Sequence, residues 1–129
     1  MVVKVFMGKR SIRVPAHTVG LLRTGLGLMF RTRHTDNLLF SFNRESTRPF
    51  TSLFVFFPFI LVWLDRSYHV IQAQYVPPFQ LSIAPPTRYW HVLELPLNGK
   101  NTRFLRFFVG KSKHLNISDA KNKISVKRR

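Results

Sequence analysis

The chain has 129 residues, of which 21 are lysine or arginine, five are aspartate or glutamate and none is cysteine. A chain of this length folds by default as one domain, which buries roughly two-thirds of the surface of the unfolded chain. The lack of cysteine excludes disulfides, thiolate metal sites and a cysteine nucleophile. A formal net charge of +16 indicates an anionic partner but does not identify it.

The charge is concentrated at the two ends of the chain. Residues 1–49 contain nine basic and two acidic residues, residues 50–99 contain two of each, and residues 100–129 contain ten basic and one acidic. The neutral middle is also the apolar part, so we expect it to form the core. The sequence predicts one β domain over residues 1–115 and a flexible basic tail over residues 116–129, because the tail holds too few apolar residues to offset its chain entropy.

The N-terminal segment predicts a hairpin followed by a helix. Val2–Met7 and Ser11–Val14 have strand-like sequences, and Gly8-Lys9 between them is typical of a tight turn. Leucine and methionine at positions i, i+4 and i+7 predict one short helix near residues 18–29, with Thr18 as its N-cap. Three glycines weaken this helix, each by up to about 1 kcal/mol relative to alanine.

A run of twelve apolar residues, 53–64, follows a predicted strand at Leu38–Phe42. A membrane span needs about 18 or more apolar residues, so the run predicts a buried strand over Phe54–Leu64 rather than a transmembrane segment. Pro58 favours an edge, a bulge or a break between two strands within this run. Asp65–Ser67 is then expected to turn the chain.

Four further segments complete the predicted fold. Tyr68–Tyr75 and Tyr89–Leu95 have strand-like sequences, Phe79–Ile83 is a short extended piece between two Pro-Pro pairs, and Phe104–Val109 is predicted as the final strand. Many short strands separated by glycine, proline and asparagine turns are typical of a β-sandwich or a β-barrel. The sequence therefore predicts a compact, single-domain all-β fold with the one short helix described above.

Six motifs follow one another along the chain: GLMFR at 27–31, LLFSF at 38–42, WLD at 63–65 at the end of the Phe-rich stretch that contains Pro58, HVIQAQYVPPF at 69–79, HVLELPLNG at 91–99 and FFVGK at 107–111. In this order and at these spacings they resemble the domain-of-unknown-function 192 family of small prokaryotic proteins. The resemblance extends over roughly residues 14–115. It implies a compact, mainly β fold with a short helix before GLMFR, and it implies no established activity.

At two positions this chain lacks an acidic residue that members of that family usually carry. Members usually carry aspartate two residues after a proline that corresponds to Pro58, and this chain has Ile60 at that position. They also carry aspartate directly after a glycine that corresponds to Gly110, and this chain has Lys111 at that position. Asp65 and Glu94 are the matching acids that remain. If the acidic positions of the family form a polar site, part of that site is lost here.

A candidate polar site consists of Arg31, Asp65, Arg88 and Glu94. Strand alternation places Glu94 on the same face as Val92, and a carboxylate buried there needs a cation such as Arg31 or Arg88. A structural ion pair is therefore favoured over a catalytic role for Glu94. Asp65 is expected to shape a turn by accepting hydrogen bonds from backbone N–H groups.

The basic C-terminal segment holds the candidate contacts to a polyanion. They are Lys111, Lys113, Lys121, Lys123, Lys127, Arg128 and Arg129. These side chains either bind phosphates and release counterions or are solvated charge that aids solubility, and the sequence does not decide between the two. The five histidines are scattered without the spacing of a metal site, so we expect no metal and no cofactor.

The leading hypothesis from the sequence is a small non-enzymatic binding or accessory domain. One alternative is a polyanion-binding protein that contacts nucleic acid through its basic ends, and another is an enzyme with a carboxylate in a cleft. A peripheral membrane protein and a homo-oligomer also stay open. Met1–Met7 lacks the cleavage site of a signal peptide, so we expect a cytoplasmic protein.

Overall fold

The computed structural model describes residues 1–19, 35–52 and 55–109 of the chain. These residues form seven strands, a 3-10 turn and one helix. The strands are β1 (Val2–Met7), β2 (Arg10–Pro15), β3 (His17–Val19), β4 (Leu38–Ser46), β5 (Phe59–Leu64), β6 (Val70–Val76) and β7 (Tyr89–Pro96). The 3-10 turn Gly99–Asn101 leads directly into helix α1 (Thr102–Val109).

The main sheet has the strand order β3-β4-β7-β5-β6. β3 runs parallel to β4, and all the other neighbours are antiparallel. β5 and β7 therefore lie inside the sheet and pair on both sides, whereas β3 and β6 are its edges. Every residue of β5 is buried.

β5 is buried because apolar side chains cover both faces of the main sheet. Its sequence FILVWL alternates between the faces, so that even-numbered side chains pack in one core and odd-numbered ones in another. The first core lies under the β1–β2 hairpin and α1. The second core lies under the segments that contain Phe50, Val55 and Ile83. Each fully buried side chain of this size contributes about 1.5–3 kcal/mol of transfer free energy.

The second sheet is the antiparallel hairpin of β1 and β2, which turns at Gly8-Lys9 as predicted. Gly8 has a φ of +63°, a conformation that glycine adopts without steric cost. Val3, Val5 and Val14 point into the first core, whereas the side chains between them point outward. The hairpin is thus a layer over the main sheet with one face in solvent.

The predicted final strand at Phe104–Val109 is wrong, because this segment belongs to helix α1. The buried side chains are Phe104, Leu105, Phe107 and Phe108. Their spacing of i, i+1, i+3 and i+4 lies on one face of a helix. In a strand, Arg106 would share a face with Phe104 and Phe108 and would lose its hydration.

Two predicted strands begin later than expected, each at a local backbone feature. The strand predicted over Phe54–Leu64 begins at Phe59, directly after Pro58, which lacks the N–H group that a ladder needs. The strand predicted from Tyr68 begins at Val70, because Tyr68 has a φ of +67° and still belongs to the turn.

Two further local expectations are corrected. Phe79–Ile83 is not one extended piece, since Phe79 has a φ of +66° and Ile83 alone forms a bridge, with Phe50. Thr18 is not a helix N-cap, since it lies in β3. The rest of the predicted helix, from residue 20 onward, lies outside the described residues, as does the predicted tail over residues 116–129.

The prediction of a strand-rich fold with one short helix is confirmed, although the helix that the structure describes is α1. The two sheets stay open and do not close into a barrel in the part of the chain that the structure describes. Among the same residues, no helix combines the length and the apolar character that crossing a membrane requires.

Candidate binding site

Glu94 is buried in the middle of the main sheet. Glu94 is 3% exposed, and its cross-strand neighbours are Leu38 of β4 and Leu61 of β5. These neighbours and Val92 all belong to the second core, so Glu94 points to that face, as strand alternation predicts. Arg31, one of its expected partners, lies outside the described residues.

Asp65 shapes the turn between β5 and β6, as the sequence predicts. Its Oδ1 accepts hydrogen bonds from the backbone N–H groups of Ser67 and His69, each at 2.9 Å. The same oxygen lies 3.8 Å from Nδ1 of the His69 ring. The role of Asp65 in the described structure is therefore to hold a turn.

The predicted polar site does not assemble from the described residues. Asp65 follows Leu64, whose partner on β7 is His91, and His91 is three residues, or about 10 Å along the strand, from Glu94. Arg88 is exposed just before β7. The predicted polyanion contacts from residue 111 to residue 129 lie outside the described residues.

His91 lies at the centre of a polar cluster that the sequence analysis did not predict. His91 is 8% exposed, with Nδ1 at 2.8 Å from Oγ of Ser41 and Nε2 at 3.4 Å from the carbonyl oxygen of Arg66. The ring of Tyr68 stacks on it at 4.0 Å between centroids and 10° between planes. Burial lowers the pKa of His91, against the smaller opposing effects of the Arg66 carbonyl and the Asp65 carboxylate.

The contacts of His91 fit a neutral imidazole with a structural role. Because a carbonyl oxygen only accepts hydrogen bonds, Nε2 carries the proton and Nδ1 accepts from the hydroxyl of Ser41. A base beside a hydroxyl also occurs in nucleophilic catalysis. Neither of the two cavities described below is lined by Ser41, His91 or Glu94, however. No group of three or more metal-ligating side chains occurs among the described residues either.

A second buried polar pair closes the end of the main sheet beside α1. Nδ2 of Asn101 donates to Oδ1 of Asn37 at 2.8 Å and to the carbonyl oxygen of Pro96 at 2.7 Å. Nδ2 of Asn37 donates to the carbonyl oxygen of Pro15 at 2.9 Å. These bonds join the 3-10 turn to β7, to the start of β4 and to the end of β2.

The cavity beside this asparagine pair is small. Its volume is about 150 Å³, below the roughly 300–1,000 Å³ of typical ligand pockets. On its rim, the carboxylate of Asp36 contacts Nε2 of His17 at 2.9 Å and Nζ of Lys100 at 3.9 Å. The rim charges therefore contact one another, and we assign this end of the sheet a structural role.

A larger cavity, of about 550 Å³, lies along one edge of the main sheet. Its walls are Ala73–Val76 of β6, residues of the loop up to Ala84, and the end of α1 at Phe108 and Val109. None of the described residues that line it is charged. Within the described residues β6 pairs with β5 alone, so its second edge carries no strand. We call this cavity the β6 trough.

Buried hydrogen bonds fix the loop wall of the β6 trough. Oγ of Ser52 donates to the carbonyl oxygen of Pro77 and accepts from the backbone N–H of Gln80, both at 2.8 Å. The backbones of Phe50 and Ile83 bond each other in both directions, at 3.0 and 2.7 Å. The trough is therefore a preformed feature of the fold.

The outward face of the β1–β2 hairpin is basic. In the register of the hairpin, Lys4 lies directly opposite Arg13. Both side chains are exposed, and no carboxylate of the described residues lies within ion-pair distance of either. The outward residues are Val2, Lys4, Phe6, Ser11, Arg13 and Pro15. We call this surface the hairpin face.

The hairpin face continues onto the segment that precedes β6. The backbone N–H of Phe6 donates to the carbonyl oxygen of Tyr68 at 3.0 Å, and Phe6 forms a parallel bridge with His69. The rings of Phe6 and His69 stack with 5.0 Å between centroids and 27° between planes. Nζ of Lys4 lies 5.4 Å from the centre of the Phe6 ring. Cations and stacked rings therefore share one surface.

The fold and its surfaces define a small, open-sheet β domain whose buried polar groups support the structure and whose exposed strands offer two distinct surfaces. The chain belongs to the domain-of-unknown-function 192 family (DUF192, Uncharacterized ACR), whose sequence profile matches residues 14–104. The resemblance stated from the motifs is thereby confirmed. No curated protein matches the chain.

Two solved structures share this fold. One is a protein of unknown function from Novosphingobium aromaticivorans, with a TM-score of 0.65 and 19% sequence identity over 79% of this chain and 76% of that chain. The other is described as a candidate transcription regulator from Sinorhizobium meliloti, with a TM-score of 0.64 and 19% identity over 78% of this chain and 82% of that chain. At this identity the likeness concerns the fold.

Proposed function

We propose that this protein is a small non-enzymatic binding domain and that its ligand is an anionic polymer. The described polar groups that could act in catalysis support the fold instead: Asp65 holds a turn, and His91 joins two strands to that turn. The chain carries 21 basic and five acidic residues, so its field attracts polyanions at long range.

The observation that carries this proposal is the pair formed by Lys4 and Arg13. Like charges directly opposite each other destabilise an antiparallel pair. No carboxylate of the described residues offsets them. Positions that break a local stability rule without compensation in the fold are expected at functional sites. An anionic ligand across the hairpin face would supply the missing compensation.

Two further points support the proposal. The lysines and arginines predicted as polyanion contacts, from residue 111 onward, add to the same field. The structural neighbour from Sinorhizobium meliloti, described as a candidate regulator of transcription, suggests nucleic acid as one such polyanion. The cytoplasmic location expected from the sequence is part of this proposal, since nucleic acid is abundant there.

Immobilised heparin tests the proposal, because it is a polyanion that lacks bases. The double variant Lys4→Gln/Arg13→Gln should bind roughly tenfold more weakly than the wild type at low salt, and the difference should shrink as salt rises. The matched control is Arg44→Gln/Arg48→Gln, which removes the same charge from exposed positions on and after β4. An equal loss for both variants would contradict a site on the hairpin face and leave only unspecific charge.

A second candidate function is binding of an extended, uncharged peptide in the β6 trough. The specific observation is a preformed cavity of about 550 Å³ along a strand edge, and the lining residues that the structure describes are all uncharged. Extended peptides add to such edges through main-chain hydrogen bonds, and adjacent pockets select their side chains.

Peptides selected from a random heptapeptide library on the wild-type protein test this second candidate. They should lose affinity for Ala84→Trp, which fills the trough from an exposed position, and they should keep it for Lys4→Gln/Arg13→Gln. Failure to select peptides, or binding that Ala84→Trp leaves intact, would remove the candidate.

A further inference from the structure

We infer that the hairpin face binds single-stranded nucleic acid, with phosphates on Lys4 and Arg13 and a base stacked on the exposed ring of His69. This inference rests on the proposed function and names the class of polyanion. Sulfated sugars and lipid headgroups carry the same kind of charge, but they offer no planar base.

The aromatic pair of Phe6 and His69 has the geometry of a stacking platform. The ring of Phe6 is covered on one side by His69, at 5.0 Å, and Nζ of Lys4 lies 5.4 Å from its centre. The side chain of His69 is nevertheless 53% exposed, although one of its faces lies on Phe6. A base placed on His69 would therefore extend an existing stack by one ring.

This platform is held in place before a ligand arrives. The backbone bond from Phe6 to Tyr68 joins the hairpin to the turn, at 3.0 Å. Asp65 accepts the backbone N–H of His69 at 2.9 Å and lies 3.8 Å from its ring nitrogen. A ring that is already ordered loses less conformational entropy when a base stacks on it.

Positive and negative charge lie at opposite ends of this surface. Lys4 and Phe6 are two residues apart on one face of β1, which corresponds to about 7 Å. The carboxylate of Asp65 lies at the His69 end, where it disfavours a phosphate. The basic end therefore suits the backbone of a nucleic acid, and the aromatic end suits a base.

This surface suits a single strand better than a duplex. Bases within a duplex are already stacked on one another, whereas bases of a single strand turn outward and stack on aromatic side chains. Such stacking accepts any base, because every base has a π-face. An exposed ring beside two cations thus fits a single strand of relaxed sequence preference.

Fluorescence anisotropy with two labelled probes tests the inference on the full chain. One probe is oligothymidylate, and the other is an abasic deoxyribose-phosphate polymer of the same length. The wild type should bind oligothymidylate at least about fivefold more tightly than the abasic polymer. His69→Ala should abolish that preference, His69→Phe should retain it, and the control Phe79→Ala, at an exposed aromatic position on another loop, should leave it unchanged.

The outcomes separate the inference from the function on which it rests. Equal affinity of the wild type for both probes would overturn the inference, as would a preference that survives His69→Ala. Either result leaves the heparin test intact. If Lys4→Gln/Arg13→Gln binds heparin and both probes like its matched control, the proposed function fails together with the inference. Circular dichroism of each variant shows whether the fold is retained.

Discussion

The hairpin face and the β6 trough are both built on exposed strands, but they differ in charge and shape. The hairpin face is an open surface with Lys4 and Arg13 opposite each other and no carboxylate of the described residues beside them. The β6 trough is a cavity of about 550 Å³ whose lining, over residues 73–109, carries no charge. The first suits a charged, flexible polymer, and the second suits an uncharged, extended segment.

This contrast follows from the order of the chain. β1 and β2 come from the basic first third of the sequence, and β6 comes from its neutral middle. The fold covers β5 and β7 with apolar side chains on both faces and leaves β6 half-buried at an edge of the sheet. It places the basic strands outside as a layer. Charge segregation along the sequence therefore becomes segregation between two surfaces.

The largest expected effect concerns the support beneath the hairpin face. Phe107 is buried in the first core, and the guanidinium of Arg10 lies 4.7 Å from the centre of its ring. Phe107→Ala should lower the free energy of unfolding by about 3–5 kcal/mol, because it removes a buried ring and leaves a cavity. Phe79→Ala, at a residue that is 58% exposed, is the control and should change it by less than about 1 kcal/mol. Urea unfolding of both variants measures the difference, and equal losses would show that α1 does not support the hairpin.

A smaller effect should appear as a pH dependence near the aromatic end of the hairpin face. His91 has its pKa lowered by burial, from the ordinary value of 6.5, so the unfolded chain binds a proton first as the pH falls. The free energy of unfolding should therefore decrease from about pH 6.5 downward until the lowered pKa of the folded state is reached, and it should be unaffected by this group at higher pH.

The variant His91→Gln isolates this contribution. It should be less stable than the wild type at neutral pH, because the stack with Tyr68 is lost, but it should lack the part of the decline that His91 causes. Thermal unfolding of both proteins across this pH range gives the comparison. Parallel declines for the two proteins would contradict a neutral, buried His91.

The smallest expected effect is a gain in stability on the hairpin face. Lys4→Gln removes one of two like charges that lie opposite each other, so the free energy of unfolding should rise by about 0.2–1 kcal/mol. Arg44→Gln is the control at an exposed position of β4. Urea unfolding at low salt measures both variants. A loss of stability on Lys4→Gln would mean that the pair is not in conflict and would weaken the argument for a ligand.

Local patterns were sufficient to predict much of the fold. The β1–β2 hairpin and β7 follow from alternation and turn residues within one short stretch. The sequence prediction missed α1 because the phenylalanine content of this segment favours a strand. The buried side chains on either side of Arg106 are nevertheless spaced as on one face of a helix. The late start of β6 depends on the positive φ of Tyr68, which no periodicity reveals.

The surfaces were harder to predict, because they depend on register. The sequence identified Asp65 as a turn former and placed Glu94 on the same strand face as Val92, since each property follows from nearby residues. The pairing of Lys4 with Arg13 requires the hairpin register, although that register could have been derived from the turn at Gly8-Lys9. The stack of Phe6 on His69 joins segments about sixty residues apart, and no local signal announces it.

Amide chemical-shift mapping of the full-length protein during titration with oligothymidylate tests the central claim most directly. The account predicts shifts in β1, in β2 and around His69, with affinity that falls as salt rises, and no shifts along Ala73–Val76 of the β6 trough. Shifts concentrated in the β6 trough, or shifts that leave Lys4, Arg13 and their neighbours unchanged while oligothymidylate binds, would contradict it.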